Sequence, residues 1–305
     1  MTNKRNQCVI VLIVIAIMLT ALLLCPAIVN AKETEIEKER NINNINVVCD
    51  DGEYYSETTY YYNQGQFASL YALSSIEDNE EFVMGVSKKV WVAETKNDEG
   101  LVADSRLLKK DELRQGDFET QVSAQSSYIG EDEEARYSLE IALTVVESNG
   151  VYTAKAVARW ENKAIWGGEQ TAEESRDDYL GLTWGGEGTL EKRNQSFTGV
   201  YYDGSTMNGS RALSDSYKGY VWQFREKTWF WGTMMKKATA NVSISKVGTN
   251  EGKSTSIKLT YIHTYKEVNG TISFSYQNHK VVPQLTIGQK DNNWQIQVDV
   301  AGIRY

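Results

Sequence analysis

Cysteine, proline and histidine are scarce in this sequence: three, two and two among 305 residues. Cys8 and Cys25 fall in an apolar N-terminal run, which leaves Cys49 alone. A single thiol closes no intrachain disulfide, so the fold is not a small stapled scaffold and must be held by its own core. Pro26 lies in the same run, and only Pro283 remains beyond it. The turns must therefore be built from Gly, Asn and Asp, and no Pro/Ser-rich linker separates domains.

The two histidines, His263 and His279, have no i, i+4 partner of the kind a zinc site on a helix uses. No Gly-x-Ser-x-Gly elbow is present, and nothing in the spacing pairs Cys49 with a histidine. These absences weigh against an enzyme. A secreted glycan hydrolase stays open as an alternative, because it needs only two carboxylates a few ångströms apart. With 41 acidic residues the sequence neither excludes such a pair nor nominates one. No alternation of strands with helical stretches appears, which argues against a nucleotide-binding α/β fold.

Positive charge is also short. Beyond residue 31 the chain keeps 30 of its 32 basic residues and all 41 acidic ones, a formal charge of −11. A field of that sign repels nucleic acid, so nucleic-acid binding is disfavoured.

What the sequence does have begins with an export signal. Lys4 and Arg5 precede an apolar stretch from Cys8 to Val29, Pro26 breaks it, and Val29-Asn30-Ala31 offers small side chains for cleavage. This is the layout of a signal peptide over residues 1–31, with an uncleaved anchor as the alternative. Residues 32–50 read as a mobile charged leader. Residues 51–305 read as one β-rich ectodomain, with a subdivision near 100–130 as the other arrangement. The product is expected to be secreted or held at the cell surface.

From Tyr137 onward apolar and polar residues alternate. Leu139, Ile141, Leu143 and Val145 lead to Asn149-Gly150, the commonest tight-hairpin pair, and Tyr152, Ala154, Ala156, Ala158 and Trp160 return. The alanines would let another layer approach closely. Ala240, Val242 and Ile244, followed after a loop by Ile257, Leu259 and Tyr261, read as another hairpin. Asn269-Gly270 reads as the turn into Ile272, Phe274 and Tyr276, and Trp294, Ile296, Val298 and Val300 form the last strand. Such strand runs predict an all-β fold, an antiparallel β-sandwich or jelly roll with at most one or two short helices. Leu107, Leu108 and Leu113 fit one of those helices.

Trp-Gly-Gly-Glu occurs at 166–169 and again at 184–187. The intervening residues are too few and too unlike for a structural repeat, so these read as two similar turn starts. Leu180, Leu182 and Trp184 share a strand face before the second. Between the two copies, Glu173, Glu174, Asp177 and Asp178 could supply oxygen ligands to Ca²⁺, although they lack the EF-hand spacing. Solvated surface charge is the simpler reading of this run.

Eight Trp and eighteen Tyr supply candidate ligand-binding rings. Tyr201, Tyr202, Asp203 and Tyr217 could line a sugar-binding face. Trp222 and Phe224 read as core. Trp229-Phe230-Trp231 cannot all face inward on a strand, and basic residues flank them, so membrane contact through 225–237 enters as a partner expectation. The leading functional reading is an exported non-catalytic protein that binds a glycan, an envelope component or a protein partner through aromatic and acidic loops. A further alternative is a membrane-interacting or pore-forming hairpin protein built on 238–265.

Overall fold

The computed structural model divides the chain into two compact units, 1–43 and 44–305. It describes residues 45–50, 53–62, 79–96, 102–118, 134–161, 177–185, 190–226, 234–247, 254–265, 271–275, 284–286 and 293–304, all in the second unit. Residues 1–31, read from sequence as a signal peptide, and Glu173, Glu174 and Trp229 to Trp231 lie outside the described residues. No helix among the described residues is long and apolar enough to cross a membrane.

The strands are β1 (Ile45–Asp50), β2 (Tyr55–Tyr61), β3 (Glu81–Lys96), β4 (Val102–Leu107), β5 (Ala135–Ser148), β6 (Val151–Glu161), β7 (Asp177–Trp184) and β8 (Leu190–Tyr201). They continue as β9 (Thr206–Met207), β10 (Ser210–Asp215), β11 (Gly219–Arg225), β12 (Met235–Lys246), β13 (Ser254–Thr264), β14 (Ser273–Ser275), β15 (Gln284–Thr286) and β16 (Asn293–Arg304). All the pairings are antiparallel. One sheet runs β1-β2-β3-β5-β6-β12-β8-β9, with β4 also on β3, and a second runs β10-β11-β7-β13-β16. The fold is thus a two-sheet β architecture, as the period-2 pattern predicts. Ile45–Asp50, taken from sequence as the end of a leader, is a strand because its backbone pairs with β2 from Ile45↔Tyr60 to Asp50↔Tyr55.

The core is made by the alternation. Leu139, Ile141, Leu143 and Val145 of β5 face it from the first sheet, and Leu180, Leu182 and Trp184 of β7 face it from the second. Alanines line the first sheet in register, Ala158 opposite Ala238 and Ala156 opposite Ala240. The volume they leave goes to aromatic rings. Phe197 sits 5.1 Å from Phe224 and 6.1 Å from Trp222, and Trp160 sits 5.7 Å from Tyr261, centroid to centroid. Burying each such ring stabilises the fold by about 1.5–3 kcal/mol. Trp222 and Phe224 are core residues, as expected.

The Asn149-Gly150 turn forms as predicted, with both residues at positive φ (52° and 78°). The other expected strand pairings are absent among the described residues, and Asn269-Gly270 lies outside them. β12 and β13 are consecutive yet belong to different sheets, since β12 pairs with β6 and β8 while β13 pairs with β7 and β16. β14 pairs with β15 rather than with β13. An alternating strand buries its apolar face equally well in either sheet, so periodicity does not choose between hairpin and crossover. Likewise the leucines at 107, 108 and 113 make no α-helix. β4 ends at Leu107, and two short 3₁₀ turns follow, Lys110–Glu112 and Gln115–Phe118. Leu108 is tied by backbone bonds to Tyr55 and Trp91, which holds β2 and β4 end to end along β3.

On the outer face of the second sheet, Leu285 of β15 and Phe274 of β14 pack with Val221 and Ile262. Two glycines permit this approach. A Cβ on Gly181 would lie 2.7 Å from Leu285 Cδ2, and one on Gly219 would lie 2.8 Å from the Phe274 ring.

Candidate functional site

The inward-facing parity of several strands runs past the apolar core and ends in charge. On β7, Asp178 continues the face of Leu180 and Leu182. Glu226 follows Trp222 and Phe224 of β11 at the same two-residue step. His263 follows Leu259 and Tyr261 of β13, and Glu94 follows Val90 and Val92 of β3. Because the four strand ends lie at one end of the sandwich, these side chains meet. All four are buried, with exposures between 0 and 7 %.

The imidazole of His263 is central. Its Nδ1 lies 3.2 Å from Asp178 Oδ1, 3.3 Å from Asp178 Oδ2 and 3.7 Å from Glu226 Oε2. Its Nε2 lies 3.3 Å from Glu94 Oε1. That last contact is outside hydrogen-bond geometry, and Nε2 makes no hydrogen bond. Tyr261 donates its hydroxyl to Glu226 Oε1 at 2.6 Å and also contacts Asp178 Oδ2. Tyr137 donates to Glu94 Oε1 at 2.6 Å. Ser105 Oγ donates to the same oxygen at 3.4 Å and accepts from Trp294 Nε1 at 3.0 Å. The Thr264 backbone N–H donates to Asp178 Oδ1 at 3.0 Å.

This setting moves proton affinities. Burial, then the adjacent Glu226 carboxylate, pushes Asp178 up to about 7, while His263 pulls it back. Burial disfavours the imidazolium of His263, but the charges of Asp178 and Glu226 outweigh it and raise the group to about 10. Burial, followed by the neighbouring carboxylates, raises both tyrosines well above their ordinary value. Three potential metal-ligand atoms, one each from Asp178, Glu226 and His263, lie within 4.8 Å of one another.

The residues singled out from sequence fare differently. Asp177 and Asp178 separate, because adjacent strand residues face opposite sides. Asp177 contacts Gln223 and sits 3.4 Å from Arg225 Nε. Asp178 is fully buried, so this one member of the acidic run is not solvated charge. Tyr201 is buried, and its hydroxyl donates to the Arg225 carbonyl at 3.0 Å. Tyr202 donates to the Trp160 carbonyl at 3.0 Å. Asp203 accepts from Ser205 N and Oγ in an exposed turn. Tyr217 sits on the turn between β10 and β11 and is 45 % exposed. Its backbone N–H donates to Asp215 Oδ1 at 2.9 Å. Tyr201 is thus buried and Tyr217 exposed, so these two rings do not share a solvent face. Sequence reasoning missed Glu94, Glu226 and His263 as a set. The available signal was a charged residue at the next inward position after an apolar run.

Fold and site together define a two-sheet antiparallel β protein with a sealed acid–imidazole cluster at one end. The chain matches no protein-family model and no curated protein. Among solved structures, one from work on pH-induced modulation of Streptococcus parasanguinis adhesion by Fap1 fimbriae is 12 % identical, with a TM-score of 0.26, over 54 % of this chain and 80 % of that one. A structure described as a pore forming protein is 6 % identical, with a TM-score of 0.26, over 72 % and 95 % of the two chains. The C-terminal domain of the Streptococcus agalactiae AgI/II polypeptide BspA is 7 % identical, with a TM-score of 0.22, over the same shares of 72 % and 95 %. Superpositions this loose carry no functional argument.

Proposed function

We propose that this chain is an exported, non-catalytic binding protein that meets a glycan through surface tyrosines on its turns. The observation carrying this reading is an inversion of exposure. The strongest cluster of titratable groups is sealed in the core, while the large hydrophobic side chains most exposed among the described residues are Tyr62 and Tyr217. A substrate cannot reach the first, whereas a sugar face can stack on the second kind of group. Tyr217 has polar neighbours suited to hydroxyls, Asp215 and Lys218, which lie 3.2 Å apart. The export reading rests on the basic–apolar–small pattern of residues 1–31.

The hydrolase alternative finds no support in the buried pair. Asp178 and Glu226 share one tyrosine hydroxyl, which leaves no room for the sugar ring that a glycosidase holds between carboxylates about 5–9.5 Å apart. The pore-forming alternative needs a 238–265 hairpin, and β12 and β13 are not paired. The test is retention of the purified protein on a panel of immobilised polysaccharides. Wild type should be retained on at least one, and Tyr217→Ala should lose most of that retention at unchanged thermal stability. Absence of retention on every polysaccharide removes the sugar reading.

A further inference from the structure

The cluster at the end of the sandwich brings three potential metal-ligand atoms, one each from Asp178, Glu226 and His263, within 4.8 Å of one another. His263 Nδ1 faces three carboxylate oxygens within 3.7 Å. The Thr264 N–H and the Tyr261 hydroxyl hold these carboxylates in place around the ring. On the other side of the ring, Nε2 is buried and makes no hydrogen bond, although Glu94 Oε1 is 3.3 Å away. A cation on the Nδ1 side would draw on all three ligand atoms. It serves Asp178, Glu226 and the ring nitrogen together, and it leaves the only ring proton on Nε2, facing Glu94. A carboxylate behind a ligating histidine is the usual outer-shell partner, fixing the tautomer and the ring plane.

We propose that Asp178, Glu226 and His263 form a binding site for a first-row divalent cation, Zn²⁺ foremost, with Glu94 positioning the imidazole. The donor set selects the metal. One imidazole nitrogen and two carboxylates suit Zn²⁺, which takes three or four such ligands at about 2.0–2.2 Å. Ca²⁺ asks for 6–8 oxygens and Mg²⁺ for an octahedron that keeps several waters, whereas Zn²⁺ needs one ligand beyond these three, a second carboxylate oxygen or a single water. The nitrogen-to-oxygen separations of 3.2 and 3.7 Å bracket the edge of a tetrahedron of that bond length. The ligands come from β7, from the residue that follows β11 and from β13, three strands that adjoin in the sheet, so a bound ion would clamp them at the end where the apolar core gives out. This inference is independent of glycan binding.

The test uses untagged full-length protein, stripped with a chelator and titrated with Zn²⁺, Mn²⁺, Ca²⁺ or Mg²⁺. The expected result is one Zn²⁺ per chain by elemental analysis. At about 100 times Kd, Zn²⁺ should raise Tm by roughly 5–10 °C. Glu226→Gln should remove the Tm rise. Should that variant fail to melt cooperatively, Co²⁺ added to wild type reports the same site, since tetrahedral nitrogen–oxygen ligation gives intense visible bands. Substoichiometric Zn²⁺ on wild type, a response to Ca²⁺ alone, or an undiminished Tm rise in a folded Glu226→Gln protein would each overturn the assignment.

Discussion

Replacing Tyr261 with phenylalanine isolates what the buried cluster contributes to folding. The ring keeps its neighbours, Trp160 at 5.7 Å and Trp294 at 5.7 Å, so no cavity of consequence opens. Only the hydroxyl disappears. It donates to Glu226 at 2.6 Å and contacts Asp178, and both carboxyls are in the core. A hydrogen bond to a charged group is worth about 1.5–3 kcal/mol, and a buried acceptor left without its donor costs more than an exposed one. Tyr261→Phe should therefore destabilise metal-free protein by about 2–3 kcal/mol. In a domain of this size each kcal/mol lowers Tm by about 2–4 °C, giving a drop of roughly 4–12 °C. Urea unfolding followed by tryptophan fluorescence measures this directly, with the slope m expected to be unchanged. Tyr217→Phe, at an exposed turn, should stay within about 0.5 kcal/mol of wild type. If Tyr261→Phe also falls within that margin, the hydroxyl does not hold the carboxyls together and the account of the cluster is wrong.

The cluster also fixes the sign of the pH response. Asp178 is raised from 3.8 to about 7 and His263 from 6.5 to about 10. Each group binds its proton more tightly folded than unfolded, so each contribution is complete below the unfolded value and is lost as pH rises through the folded one. Glu112 and Glu161 are lowered from 4.5 and act in the opposite sense, their contribution being lost as pH falls below that value. The urea midpoint of metal-free protein should therefore fall from pH 5 to pH 9, and Asp178→Asn should flatten the lower part of that slope; a midpoint that rises over this range contradicts the assignment. Gly219→Ala should cost about 1–3 kcal/mol, because its Cβ would lie 2.8 Å from the Leu182 carbonyl oxygen, which is backbone and cannot turn aside. Gly181→Ala should cost less in the same denaturation assay, since the atom it meets is the end of the flexible Leu285 side chain.

Much of the fold was legible because a strand has a period of two. The faces of β5, β6, β7 and β11 follow from alternation alone, and the Asn149-Gly150 turn follows from the positive φ that those residues tolerate. The alanines at 154, 156 and 158 were readable as spacers for a second layer. The site was harder to see. Asp178 was noticed for its charge and grouped with its sequence neighbours, whereas its partners lie 48 and 85 residues further on, in strands of the same sheet. Glu226 and His263 each follow an apolar face by one step, and nothing local distinguishes that from a strand leaving the core for solvent.

The sequence by itself determined that this chain is antiparallel β, and which side of each strand is apolar. Those properties depend on residues a few positions apart. Tertiary structure alone decided that β12 and β13 go to different sheets, and that the charged ends of β3, β7, β11 and β13 turn inward and meet. An apolar face buries equally well against several partners, so its alternation specifies orientation and leaves the partner to the packing of the whole.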